Sequence, residues 1–271
     1  AEWSRAAMSW QDAARIMVWV RWREAVADKR SLFRTLVMPV GFVIYIMVVS
    51  KTGEEPKDLG TLPPMVLMTP GLCLSAAVTT FAVTLVRERT AKVRHVMMSQ
   101  GMPPLSYWAG TLVPHYSHAL IIAIAFMLTA LYTRQDFVIE PVSGDSSVVT
   151  SRVAPLFVAV AVGPISVLLC AYNFSYFFDT PESVMRTLPL LEMFLGGMMA
   201  MLANLLLSFG EMETLRLNGL RLHAAMSVAS PYYAMPGCIL GLSFACRGGQ
   251  PCGKGPAGFF GEWYVFTPLL G

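Results

Sequence analysis

The stretch LPPMVLMTPGLCLSAAVTTFAVTLV, residues 62–86, decides the fold. It holds no charged side chain, and RERTAKVRH, residues 87–95, follows it at once. A bilayer core about 30 Å thick is crossed by about 20 apolar residues rising 1.5 Å each. The uncharged run is long enough to span, and the basic run marks where it leaves the hydrocarbon.

Working outward, the pattern recurs. Leu105–Tyr132 carries only His115 and His118, Val153–Phe178 carries no charge, and Thr187–Phe209 carries only Glu192. Leu32–Ser50 is shorter and holds Arg34 near its start, where a long aliphatic stem lets the guanidinium reach the interface. Composition agrees: 55% of the 271 residues are hydrophobic and 14% are charged, with mean hydropathy +0.55. A soluble domain carries roughly 25% charged residues. The reading is an all-α polytopic membrane bundle of about five spans. The net charge of +3 gives no reason to expect a nucleic-acid partner. Membrane lipids are the first partners expected.

Loop charges orient the set. Arg15, Arg21, Arg23, Lys29 and Arg30 precede the first span, and Arg87, Arg89, Lys92 and Arg94 follow the second. Both clusters are expected on the cytoplasmic side, or the equivalent matrix or stromal side. The N-terminus and the link Asp179–Arg186 then share that side. The loops 51–61 and 133–152 lie opposite, with everything after Phe209.

Three regions follow. Residues 1–31 mix Trp10, Trp19 and Trp22 with arginines, which suits a helix lying among lipid headgroups. On a helical wheel Trp10, Ala13, Ala14, Met17, Val18, Val20 and Ala25 share its apolar side. Residues 32–209 form the bundle. In residues 210–271 the apolar run Ala224–Phe244 is broken by Pro231, Pro236, Gly237 and Gly241. A re-entrant hairpin packed against protein fits it, because irregular backbone is not tolerated in lipid. The chain opens on Ala-Glu-Trp, and the expectation is a fragment or processed product that stops before a sixth span.

Candidate chemistry is sparse. His115 and His118 sit at i, i+3 on one helix face and are read as packing groups or a proton or metal site, with no third metal ligand visible. Glu192 and Asn173 lie at similar depth on neighbouring spans and are expected to meet, as a packing hydrogen bond or as part of a substrate wall. Gly196, Ala200 and Asn204 mark a close helix–helix face. Cys246 and Cys252 flank a Gly/Pro-rich loop and form a disulfide if that side is oxidising. Residues 248–255 approach a phosphate loop, but Gly255 stands where the hydroxyl is needed. Neither a catalytic group nor a cofactor is expected.

The wording of three stretches resembles the A subfamily of ATP-binding-cassette (ABC) transporters. The first is Val86–His95 with Ser99-Gln100-Gly101-Met102 and Tyr107-Trp108. The second is Tyr172–Pro181 with Gly196-Gly197, and the third is Ser230–Gly237, in the family's order. The resemblance implies an exporter-type membrane domain that moves lipid or another amphiphile when a nucleotide-binding domain elsewhere closes on ATP. It implies that Arg87, Glu88, Arg89, Lys92 and Arg94 lie on the segment that docks that partner. Here only about twelve residues, Lys51–Leu62, occupy the place of the family's large exocytoplasmic domain, and no Walker motif is present. A structural or accessory subunit that keeps the permease fold among other membrane subunits is the rival reading.

Overall fold

A computed structural model describes residues 9–52, 64–133, 146–209, 212–244 and 267–268. All described secondary structure is helical. Five helices are long and apolar enough to cross a membrane: Lys29–Ser50, Met65–Thr90, Pro104–Tyr132, Val153–Ser175 and Pro181–Ser208. Each expected span is found, with ends moved by a few residues where charged or polar turns continue the helix.

The second span is the hub and touches the other four. Its Val66, Leu67, Ala77, Val78, Ala82 and Val86 are fully buried, against Ala119 and Phe126 of the third span and Leu156 and Leu168 of the fourth. The first span is peripheral, with Phe42, Ile44, Tyr45, Val48 and Val49 exposed where lipid would cover them.

Helix ends are set by local chemistry. The Ser9 hydroxyl accepts from the Asp12 amide and starts the N-terminal helix Trp10–Ala27. Asp28 ends it and caps the first span, its carboxylate accepting from the Arg30 and Ser31 amides at 3.1 Å each. Beyond Thr90 the chain turns through Lys92, with φ 57°, into the short elbow helix Val93–Ser99. Gly101, at φ 97°, and extended Pro103 then start the third span.

The N-terminal helix is docked onto the third span. Ser106 donates to the Trp10 carbonyl at 2.7 Å, and Met17 sits against Gly110 so closely that a Cβ there would lie 2.5 Å from it. The buried stripe is Ala13, Met17 and Arg21, one residue in four. This corrects the wheel reading: Trp10 is half exposed, and an arginine occupies the buried side. Trp19, with Arg23 stacked over it at 5.1 Å, faces outward.

After the fifth span, helix Glu213–Ala229 runs back along it, with Gly219 against Leu206 and Leu207. The chain then turns at Pro231–Tyr233 beside Gly196 and leaves as the buried helix Ala234–Phe244. Pairing of 219 with 207 and of 232 with 196 makes the run antiparallel, so the tip reaches the middle of the fifth span. This is the re-entrant hairpin, begun earlier than its apolar run because Glu213–His223 is helical too. Cys246, Cys252 and residues 248–255 lie outside the described residues.

Candidate functional site

At one end of the bundle, charged groups gather around a buried clasp. Arg21 of the N-terminal helix forms an ion pair with Glu88 at the end of the second span. Glu88 also accepts from the Tyr107 hydroxyl at 2.7 Å, at the start of the third span. Both charged residues are about nine-tenths buried. Burial penalises the Arg21 charge, but Glu88, with Glu24 behind it at 3.3 Å, outweighs this and holds the guanidinium above its ordinary range. Three chain segments are thereby locked at one level.

The basic stretch is braced rather than loose. Arg89 donates to the Ser175 carbonyl at 3.1 Å and to that of Phe178, tying the second span to the end of the fourth. Arg94 stacks on Trp108 at 4.8 Å and on Tyr107 at 5.5 Å, and donates to the Tyr176 hydroxyl at 3.1 Å. Arg87 turns toward a cavity at the same end. Of the five expected docking residues, Lys92 is on the exposed crest, beside Val93, His95 and Val96. Arg21 and Tyr107 are not among the expected docking residues; they lie far along the chain from Glu88, and no local pattern signals either pairing.

The cavity is a vestibule of about 420 Å³ between the N-terminal helix and the first, second and third spans. Arg34 and Arg87, Glu24 and Asp28, and the paired histidines line it. His115 stacks on Phe81 at 4.1 Å and shares a 2.5 Å hydrogen bond with the Tyr172 hydroxyl. His118 packs on Trp22, and its Nδ1 lies 2.8 Å from the Pro114 carbonyl. A carbonyl can only accept, so that nitrogen carries a proton and donates. No cluster of three or more metal-ligating side chains occurs among the described residues.

The second polar place is mid-span. Glu192 is 2% exposed, in a small gap lined by Gly71, Ser75, Val167, Tyr232, Met235 and Pro236. The Ser75 hydroxyl is a polar neighbour, and no cation among the described residues lines the gap. A π-helical turn, Met193–Met198, begins at the next residue and presents Gly196 and Gly197 to the hairpin tip and to Met68. Asn173 is not here. It is exposed and donates to the Leu169 carbonyl of its own helix at 3.0 Å. The expected meeting fails because the fourth span ends at Ser175 and the fifth starts at Pro181. Asn173 is then about 3 Å from its helix end and Glu192 about 16 Å from its own.

A hub helix, a braced basic elbow and a re-entrant hairpin are thus assembled around five spans. No curated protein and no solved structure gives a significant match. A family model described as ABC-2 family transporter protein matches residues 46–236, most of the chain, from the end of the first span through the hairpin tip. The chain is an integral multi-pass membrane protein and belongs to the ABC-2 family of transporter proteins.

Proposed function

We propose that this chain is the membrane-spanning permease of an A-subfamily-like ABC transporter, with lipid or another amphiphile as cargo. Family membership supports a permease role, and permeases of this family typically work with nucleotide-binding subunits. The finer assignment rests on the resemblance of residues 86–108, 172–181 and 230–237. The observation that carries the mechanism is the elbow: its charges are tied to three other segments, so a push on its crest moves the second, third and fourth spans together. ATP is hydrolysed on the partner, and this chain supplies no catalytic group. The basic end faces the compartment that holds ATP.

The test is recruitment. Lys92→Glu with Val96→Asp changes the exposed crest and leaves the bracing residues intact. The variant is expected to insert and unfold like the parent, yet to lose co-purification of the ATP-binding subunit and ATP-driven lipid movement in proteoliposomes. Recovery of the unmodified chain in a membrane complex without any ATP-binding subunit would favour the accessory role instead.

A further inference from the structure

The vestibule at the basic end carries charges of both signs on different elements. Arg34 comes from the first span and Arg87 from the second, and neither makes an ion pair among the described residues. Glu24 and Asp28 come from the end of the N-terminal helix. Arg21 is committed to Glu88, which leaves Glu24 only a share of its charge. One Asp28 oxygen accepts the two capping amides, and its carboxylate keeps its other oxygen and full charge. Beside the clasp, the opening is lined by the cations Arg34 and Arg87 and by the carboxylates of Asp28 and of Glu24, which stays 3.3 Å from Arg21.

That pattern selects a ligand. Two guanidiniums suit a phosphodiester, which they bind through charge-assisted hydrogen bonds. Two carboxylates suit an ammonium, which donates three. The volume of about 420 Å³ falls within the range of roughly 300–1,000 Å³ usual for small-molecule sites. Arg34 also borders a shallow groove with Lys29, Arg30 and Phe33 on the outer face of the first span. Phe33 in this groove and Val37, one turn further along the helix, are more than half exposed. A headgroup in the vestibule would therefore have an apolar surface beside it for its chains.

We propose that the vestibule binds the zwitterionic headgroup of an aminophospholipid, with the phosphodiester on Arg34 and Arg87, the amine on Glu24 and Asp28, and acyl chains along Phe33 and Val37. This rests on the permease reading for why a lipid is taken up, but binding itself needs no nucleotide. An anionic lipid without an amine would bring its phosphate to the arginines and offer Glu24 and Asp28 no further donor. A quaternary amine carries charge but no N–H to donate.

The test is native mass spectrometry of the purified full chain in detergent. The probes are short-chain phosphatidylethanolamine, phosphatidylglycerol, phosphatidylcholine and water-soluble glycerophosphoethanolamine. Phosphatidylethanolamine is expected to bind about tenfold more tightly than phosphatidylglycerol or phosphatidylcholine. Arg34→Gln with Arg87→Gln should weaken every phospholipid about tenfold. Glu24→Gln with Asp28→Asn should erase the preference for the amine while phosphatidylglycerol binds at least as well; asparagine still caps the first span. Unchanged binding in the arginine variant overturns the proposal, as does equal or tighter binding of phosphatidylglycerol or phosphatidylcholine by the parent. Glycerophosphoethanolamine binding as tightly as the lipid would make this a solute site and overturn it too. A chain that binds the lipid as expected yet recruits no ATPase would sink the permease reading and leave this one standing.

Discussion

The carbonyl oxygen of Tyr232 lies 2.7 Å from where a Cβ on Gly196 would stand, so the fifth span and the hairpin tip meet backbone to backbone. Gly196→Ala must push the tip away, since a carbonyl cannot rotate aside as a side chain can. The expected loss is about 1–3 kcal/mol, read as a lower unfolding midpoint in detergent. Gly71→Ala is the control: its nearest neighbour would be 3.9 Å away, and the midpoint should hold. Equal effects at the two positions would contradict the close approach.

The Arg21–Glu88 pair predicts a rescue. Arg21→Met strands a buried carboxylate and should cost about 3–5 kcal/mol. Adding Glu88→Gln removes the stranded charge while still accepting from Tyr107. More than half of the lost stability should return. A double variant no better than the single would show that the pair is not buried as described.

Among the described residues no cation stands beside Glu192, and an ionised carboxylate in such a place costs several kcal/mol. Glu192→Gln keeps the shape and hydrogen-bonding reach toward Ser75 without a charge. Its unfolding midpoint should equal or exceed the parent's at neutral pH. A clear fall would mean that the carboxylate serves as an anion, with a counter-charge not lining this gap.

Gly110 holds the N-terminal helix against the third span. A Cβ there would meet the Met17 Cβ at 2.5 Å and the Ala14 carbonyl at 3.3 Å. Gly110→Ala is expected to loosen this helix while the bundle stays folded. Amide exchange across Trp10–Ala27 should quicken roughly tenfold, with exchange in the second span unchanged. Uniform quickening would indicate global destabilisation and count against a locally docked helix.

Much of this architecture is legible in the sequence because hydrocarbon imposes a simple rule. Runs such as residues 62–86 have no other stable environment, and the basic clusters fall at one end of the bundle as their charge implies. What lies hidden is registration between helices. Arg21 reads as a polar-face residue until Glu88 is known to stand opposite. Asn173 and Glu192 seem level only if their helices end at the edges of the apolar runs, and a turn or two of extra helix separates them. The braces on Arg89 and Arg94 are equally invisible, since their partners are two backbone carbonyls and the Tyr176 hydroxyl far along the chain and two rings on the next span.

The hairpin carries a consequence for biogenesis. Its first helix holds Glu213, Arg216 and Arg221, and its second is an eleven-residue piece, Ala234–Phe244. Neither half would partition into lipid by itself during synthesis. Its docking ground is built from three helices made earlier: the second, fourth and fifth spans. Residues 213–244 are therefore expected to enter sideways, after those three have met, by the plugging of a cleft rather than the threading of a span.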